Sequence, residues 1–316
     1  MFLIDTGHTL ISCVGLLLWY AGAMPQGAAQ RKIAAKTKLP MKRILVPCDF
    51  SEPAVQAFKF AVEIANQSKG ELLLLHVVEI PVIHDSVMMP AFSFEETYLK
   101  EMKTRAEKDF KKMREKWAKE GPKIRTFIQF GAPTPTISRV AEEEKADIIV
   151  MGTKGASGLK EFFVGSNTEK VVRWSSIPVI TIKKSVKGTS IKNIVFPSAM
   201  DEDEDLTMRV KALQDFFKAT LHVLYINTPA NFRTDVISRQ KLKDFAKRFM
   251  LKNFTLNVYN DISEEAGVAH FTKEVKGDLI ALATHGRKGL SHLMSGSIAE
   301  DMVNHIDCPI WTWKTS

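Results

Sequence analysis

The sequence predicts an α/β protein made of two tandem, doubly wound parallel-sheet domains. Short apolar runs that suit buried strands alternate with amphipathic helical segments along the chain. A glycine-spaced loop follows one of these runs, Ile148–Met151, and leads into a helical pattern. The same loop pattern returns in the second part of the chain, so we expect two copies of one fold.

The repeat includes more than one segment, and the spacing between matching segments differs along the chain. Lys145 to Gly155 returns 131 residues later as Lys276 to Gly286, and Ile44–Pro47 returns 150 residues later as Ile194–Pro197. This period is far longer than that of a solenoid, so each copy is a whole domain. We predict a leader over 1–40, a first domain over 41–183, a linker over 184–190 and a second domain over 191–316.

Composition is that of a globular chain. The 316 residues are 45% hydrophobic and 25% charged, which is ordinary for a folded protein and long enough for two cores. The formal net charge is +8, of which residues 1–40 carry +3. The mild excess that remains does not indicate a nucleic-acid-binding protein. Three cysteines give no disulfide framework, so we expect a cytoplasmic location.

Residues 1–40 differ from the rest of the chain. The apolar stretch from Thr9 to Met24 is about 15 residues, whereas a membrane span needs roughly 20. A signal peptide requires a basic segment before its apolar stretch, and none precedes this one. We therefore expect Met41 to be the true start and no membrane contact; a cleaved signal and a membrane-anchoring leader stay open as alternatives.

The first domain opens with a strand over Ile44–Pro47 and a helix that Ser51 caps, with Pro53 in its first turn. We expect Gly70 to end this helix. The further elements predicted from hydrophobic periodicity are a strand over Leu72–Val78, a long helix from about Phe94 to Glu120, a strand over Ile124–Phe130, a helix over Thr136–Glu144 and a last strand over Ile177–Lys183.

The second domain repeats this order. Its predicted strands lie near Ile194–Pro197, Thr220–Ile226, Phe254–Tyr259, Leu279–Ala283 and Ile310–Trp313, with helices between them.

The glycine loop predicts an anion site. Gly152, Gly155 and Gly165 allow close backbone approach, and a helix that starts near Ser166 offers unpaired N–H groups and the positive end of its dipole. The spacing is neither the dinucleotide fingerprint nor a P-loop. Glycines that only form a tight strand-to-helix turn are the structural alternative.

The loop Gly152-x2-Gly155-x9-Gly165-Ser166 resembles that of the universal stress protein family, small α/β proteins that bind adenine nucleotides. The resemblance covers Met41 to about Lys314 and implies a Rossmann-like, adenine nucleotide alpha hydrolase-like fold. It also implies ligand roles for nine residues: Pro47, Asp49 and Val77 around the base, Met151 and Gly152 at the ribose, and Gly155, Gly165, Ser166 and Asn167 at the phosphates.

Asp49 has a chemical reason to contact such a ligand. If the first and fourth strands are neighbours, Asp49 and the glycine loop share one crevice, because ligands bind beyond the carboxyl ends of parallel strands. A carboxylate there can accept hydrogen bonds from an adenine amino group or ribose hydroxyls. The structural alternatives are a turn-forming aspartate and, for Ser166, a plain helix cap.

The second copy departs from this pattern. Ala199 stands at the position of Asp49, and Ala283 at that of Gly152. The acidic run 201–205 would repel a polyphosphate if it flanks the crevice. We therefore expect the second domain to bind nucleotide weakly or not at all.

The resemblance implies a stress-response regulator that binds ATP or another adenine nucleotide, with or without Mg²⁺. No nucleophile–base arrangement and no metal-ligand spacing is present in the sequence, so we predict no catalytic residue and no protein-bound metal. The apolar last strands, Val179–Ile182 and Ile310–Trp313, are expected to pair as an intramolecular pseudo-dimer, with a homodimer as the other option. Slow ATP hydrolysis, autophosphorylation at Ser166 and a partner-binding module with a vestigial site are the alternative functions.

Overall fold

The computed structural model describes residues 41–79, 92–153, 166–202, 204–283 and 306–314, with the backbone alone for residues 92–96 and 166. Residues 39–316 form one compact unit. Within the described residues its centre is a single ten-stranded sheet that carries helices on both faces.

The first half-sheet, as we call strands β1 to β5, comes from the first part of the chain. Its strands are β1 (Arg43–Pro47), β2 (Glu71–Val78), β3 (Lys123–Phe130), β4 (Ile148–Gly152) and β5 (Val179–Ile182). The helices described between them are α1 (Glu52–Ser68), α2 (Phe92–Trp117), α3 (Pro133–Glu143) and α4 (Ser166–Trp174).

The second half-sheet consists of strands β6 to β10. They are β6 (Asn193–Pro197), β7 (Thr220–Asn227), β8 (Phe254–Asn260), β9 (Leu279–Ala283) and β10 (Ile310–Trp313). Helices α5 (Glu204–Phe217), α6 (Asp235–Arg248) and α7 (Glu264–Glu274) lie between them in the described part of the chain. All ten strands lie within two residues, at either end, of the segments that the hydrophobic pattern predicts.

The strand order is β3-β2-β1-β4-β5-β10-β9-β6-β7-β8. Every pair is parallel within a half-sheet. From β1 the chain moves outward to β2 and β3 and then returns to the other side of β1 at β4, where Ile44 pairs with Ile148. The predicted neighbour relation between the first and fourth strands is confirmed, and it creates the reversal point where open α/β sheets bind ligands.

Strands β5 and β10 join the two half-sheets. They pair antiparallel, with Trp311 opposite Ile180, so the predicted pairing of the last strands within one chain is confirmed. Trp311 is fully buried at this junction. Beside the sheet, the Gln67 amide of α1 donates to the Phe216 carbonyl of α5 over 2.6 Å, and the Gly188 amide donates to Glu63 over 2.7 Å. The pairing leaves neither apolar strand as an open edge.

The core differs between the two faces of the sheet. On one face, a single cluster of buried side chains extends across both half-sheets and includes Phe58, Trp311 and Phe196. On the other face there are two clusters, one around Ile149 in the first half-sheet and one around Ile280 in the second. The shared cluster, together with the β5–β10 pair, ties the two half-sheets into one unit.

Helix α1 begins and ends for local reasons. Ser51 is its N-cap, with Oγ accepting from the Ala54 amide, and Pro53 lies in the first turn, as predicted. At the other end Lys69, not Gly70, takes the left-handed conformation with φ 53°. The prediction that Gly70 ends the helix is therefore wrong by one residue, because the amide of Lys69 itself closes the last turn.

Two other predicted helix boundaries also differ from the structure. Helix α2 covers Phe92–Trp117 rather than Phe94–Glu120, and α3 starts at Pro133 rather than Thr136. Proline fits the first turn of a helix because it lacks the N–H that would be unpaired there, so Pro133 marks the true start. None of the described helices is long and apolar enough to cross a bilayer.

Candidate functional site

A cavity of about 390 Å³ opens at the carboxyl edge of the first half-sheet, where β1 and β4 diverge. The ends of β1, β2 and β4 form its floor, and the first turns of α1, α3 and α4 form its walls. Six of the nine predicted site residues line it: Pro47, Asp49, Val77, Met151, Gly152 and Asn167. The structure thus brings these six together, while their ligand roles stay predictions.

The other three predicted residues belong to the phosphate side. Gly155 and Gly165 lie outside the described residues, and Ser166 is described only as the first residue of α4. The next two residues of α4, Asn167 and Thr168, line the cavity, so the N-terminal turn of this helix borders it. The Thr168 hydroxyl donates to the Gly152 carbonyl over 3.1 Å and holds the helix start against the end of β4.

Asp49 follows β1 in an exposed position at the cavity. Its Oδ1 accepts two hydrogen bonds from Ser51, one from the backbone N–H over 3.0 Å and one from the hydroxyl over 2.5 Å. This is the geometry of an Asx turn, so the turn-forming alternative for Asp49 is partly correct. Within the described part of the chain these are the bonds that Asp49 accepts, and both end on one oxygen.

Side chains of β2 and α2 contact the turn that contains Asp49. Nδ1 of His76 lies 2.8 Å from the Cys48 carbonyl, to which only a protonated nitrogen can donate. Phe50 has φ 64°, an unusual value for a bulky residue, and its ring lies 4.8 Å from that of His76 and 5.1 Å from that of Phe110. These contacts fix the backbone on either side of the carboxylate.

Gly152 is required by close packing. A β-carbon at Gly152 would lie 2.3 Å from the carbonyl carbon and oxygen of Pro53 and 2.7 Å from the amide nitrogen of Ala54. Among the described glycines only Gly131 has a positive φ. Gly152 does not have a positive φ, so the reason for glycine here is that the first turn of α1 leaves no room for a side chain.

The described lining of the cavity carries two carboxylates, Asp49 and Glu79, and no lysine or arginine. Such a surface favours ligand groups that donate hydrogen bonds, such as amino and hydroxyl groups. Apolar side chains, among them Val77 and Ile137, also line the cavity and can pack against an aromatic ring of a ligand. The loop lysines Lys154 and Lys160 lie outside the described residues.

Sequence reasoning missed several lining residues. Ser51 and Pro53 were recognised only as helix-start residues, and Pro133 and Ile137 of α3 carried no site prediction. The signal that could have found them is topological, since every helix that follows a parallel strand begins at the same edge of the sheet. Glu79, directly after β2, could have been found in the same way.

The corresponding crevice of the second half-sheet is filled differently. Pro47 pairs with Leu75 and Pro197 with Leu224, so Ile226 is the counterpart of Val77. Ile226 is buried, and a β-carbon on Gly267 would lie 2.8 Å from its Cγ2. Gly267, the counterpart of Thr136, thus leaves room for the Ile226 side chain beside the start of α7.

A glutamate also occupies this second crevice. Glu202 accepts from the Ala199 amide over 2.8 Å through Oε1 and from the Ser198 hydroxyl over 2.7 Å through Oε2. Ala199 is the counterpart of Asp49, so a carboxylate returns at this turn from a different position. Burial raises the pKa of Glu202 to about 7, although both hydrogen bonds favour the charged form.

Comparison with known proteins identifies the family of this chain. The model of the universal stress protein family matches residues 40–183 and 258–314, which together are more than half of the chain. The chain belongs to the universal stress protein family. Membership of this family supports a role in the stress response.

Two relatives within the universal stress protein family each match slightly less than half of the chain. Universal stress protein MJ0531 of Methanocaldococcus jannaschii is 36% identical over 146 residues, which are 46% of this chain and 84% of that protein. Universal stress protein YxiE of Bacillus subtilis is 31% identical over 145 residues, 45% of this chain and 98% of that protein. The chain thus has about twice the length that either relative matches.

A universal stress protein from Archaeoglobus fulgidus has a solved structure that resembles the whole chain. The TM-score is 0.69 at 18% sequence identity, over 87% of this chain and 99% of that one. At this identity the similarity shows the fold alone. Because it covers 87% of this chain, the similarity in fold extends over both half-sheets.

Proposed function

We propose that this chain is a regulatory protein of the stress response that binds ATP or a related adenine nucleotide at the carboxyl edge of the first half-sheet. The proposal includes the predicted division into domains over 41–183 and 191–316, with the ligand in the first. Nucleotide binding is carried over from the family resemblance of the glycine loop, and the cavity at Asp49 and Gly152 supports it.

The proposal rests on the carboxylate of Asp49, whose two oxygens differ in their hydrogen bonding. Among the described residues, both hydrogen bonds that Asp49 accepts end on Oδ1, so Oδ2 can accept from a ligand in the cavity. Val77 and Ile137 would contact the base, and the first turn of α4 would favour an anion through its N–H groups. The cavity volume of about 390 Å³ lies in the range of small-molecule sites.

The second half-sheet is proposed as a packing partner. Both oxygens of Glu202 are already bonded within the protein, and Ile226 fills the space beside Gly267. A nucleotide would have to displace a buried side chain and approach a carboxylate. We therefore expect one nucleotide per chain rather than two.

The test is isothermal titration calorimetry of the full chain with ATP, with and without Mg²⁺. We expect one site in the wild type, and about 5- to 150-fold weaker binding in Asp49→Ala, since removing a hydrogen-bond acceptor for a buried ligand group costs about 1–3 kcal/mol. Asp201→Ala is the matched control, because Asp201 lies in the equivalent turn of the second half-sheet, and its binding should equal that of the wild type.

Three outcomes would change the proposal. Two sites would show that the second half-sheet also binds. Absence of nucleotide binding in the wild type would replace the proposal with a partner-docking protein that keeps the loop for its fold. ADP release above background that Asp49→Ala abolishes would favour the enzymatic alternative.

A further inference from the structure

We propose that Ser51 is a positioning residue for ligand recognition: it holds Oδ1 of Asp49 so that Oδ2 is presented to a hydrogen-bond donor of the bound nucleoside. The inference rests on the proposed function, because it concerns how the same cavity selects its ligand. Both side chains line that cavity.

The first step is the chain of hydrogen bonds. The Ala54 amide donates to Ser51 Oγ over 3.5 Å, and the Ser51 hydroxyl donates onward to Asp49 Oδ1 over 2.5 Å. The Ser51 backbone N–H donates to the same oxygen over 3.0 Å. Two donors in a fixed relation hold an otherwise exposed carboxylate in one orientation. They also connect it to the positive end of the 17-residue helix α1.

The second step is a contrast within the same chain. In the second half-sheet the counterparts of Asp49 and Ser51 are Ala199 and Asp201, and Asp201 has no side-chain hydroxyl to donate. There the carboxylate comes from Glu202, and each of its two oxygens has a partner in the protein. One turn therefore bonds both carboxylate oxygens, while the other directs both donors to one oxygen and, within the described part of the chain, leaves the second without a donor.

The third step is what such an arrangement selects. A free carboxylate oxygen accepts hydrogen bonds and repels acceptors, so the cavity should prefer a nucleoside that offers an amino or hydroxyl group there. Orientation matters because a hydrogen bond weakens steeply away from a linear geometry. Without the Ser51 hydroxyl the carboxylate keeps its charge and its bond from the Ser51 backbone N–H, but it loses the second donor that fixes its orientation, so discrimination should fall more than binding itself.

The test measures discrimination on the full chain. Calorimetry compares ATP with inosine triphosphate, which lacks the amino group, and with 2′-deoxy-ATP and 3′-deoxy-ATP, which each lack one ribose hydroxyl. The wild type should bind at least one of these analogues about tenfold more weakly than ATP, and the missing group of that analogue is the one that donates to Asp49. Ser51→Ala should reduce that ratio to about twofold, whereas Ser51→Thr, which keeps the hydroxyl, should preserve it.

A matched variant separates positioning from helix capping. Ser263 caps α7 in the same way, with Oγ accepting from the Ala266 amide over 3.2 Å, but no ligand carboxylate depends on it. Ser263→Ala should lower the melting temperature by an amount similar to Ser51→Ala and leave every affinity unchanged. A pure capping role for Ser51 would weaken all four nucleotides equally and keep the ratios.

The outcomes distinguish the two proposals. If the wild type binds ATP and Asp49→Ala abolishes binding, but Ser51→Ala retains the wild-type ratios, the positioning role is refuted while the proposed function stands. If the wild type binds no nucleotide, both fail together. If Ser51→Ala loses the ratio and Ser51→Thr keeps it, the positioning role is supported.

Discussion

Substitution of Gly152 by alanine tests the close approach of β4 and α1 directly. The added β-carbon would lie 2.3 Å from the carbonyl carbon and oxygen of Pro53. Carbon atoms pack best at about 3.5–4.0 Å, so the first turn of α1 would have to move outward by about 1 Å or more. Both atoms belong to the backbone, and no rotamer change can relieve the contact.

The expected cost is in the upper part of the range for overpacking, about 2–3 kcal/mol of the free energy of unfolding. The second copy carries Ala283 at the corresponding position, at the end of β9.

The assay is urea denaturation of Gly152→Ala and of the reverse change Ala283→Gly, followed by calorimetry with ATP. Ala283→Gly should cost only about 0.5–1 kcal/mol, the usual penalty for glycine in a strand. Because Pro53 and Ala54 line the cavity, Gly152→Ala should also weaken the proposed nucleotide binding at least tenfold. A Gly152→Ala variant within 0.5 kcal/mol of the wild type, roughly the error of the method, would refute the packing argument.

Two further predictions concern stability. Lys145 and Lys276 occupy matching positions after α3 and α7, both exposed and both with φ 51°. Replacing either by glycine should raise the free energy of unfolding by about 0.5–1 kcal/mol. The left-handed conformation costs other residues about 1–2 kcal/mol, and glycine loses part of this gain because its unfolded state has more conformational freedom. Alanine at the same positions should bring no gain in denaturation experiments, and a gain with alanine would contradict the reasoning. Glu202, whose pKa burial raises from 4.5 to about 7, should make the folded state bind more protons than the unfolded state between these values. Its protonation therefore stabilises the protein below pH 4.5, and this contribution disappears as the pH rises through about 7. Thermal denaturation should show Glu202→Gln more stable than the wild type at pH 8, by on the order of 2 kcal/mol, and equal to it at pH 4.5; equal stability at both pH values would show that the glutamate is not desolvated.

Local patterns were sufficient for the strands. The apolar runs Ile44–Pro47 and Leu279–Ala283 are short, continuous and bounded by turn residues, which is typical of parallel strands buried on both faces. Helix boundaries were less accurate, because the end of a helix depends on which N–H groups find partners. Lys69 closes the last turn of α1 through its own amide, and no local pattern distinguishes it from Gly70.

The candidate site was predictable in part. Asp49 and Gly152 are far apart in sequence, yet the βαβ pattern and the repeat were enough to place them at one edge of the sheet. The walls contributed by Pro133 and Ile137 were not predicted, since they belong to a helix that neighbours the site only because β3 lies beside β2.

The sequence by itself determined that this chain contains the same α/β pattern twice and that the second copy lacks the aspartate and the glycine of the first. Those facts depend on residue identity and spacing, which a sequence records completely. Only the tertiary structure decided why the glycine is needed, that one oxygen of Asp49 is held by Ser51, and that Ile226 and Glu202 fill the second crevice. These features depend on distances of a few ångströms between segments that are distant in the chain, and such distances exist only once the strands have paired and the helices have packed against them.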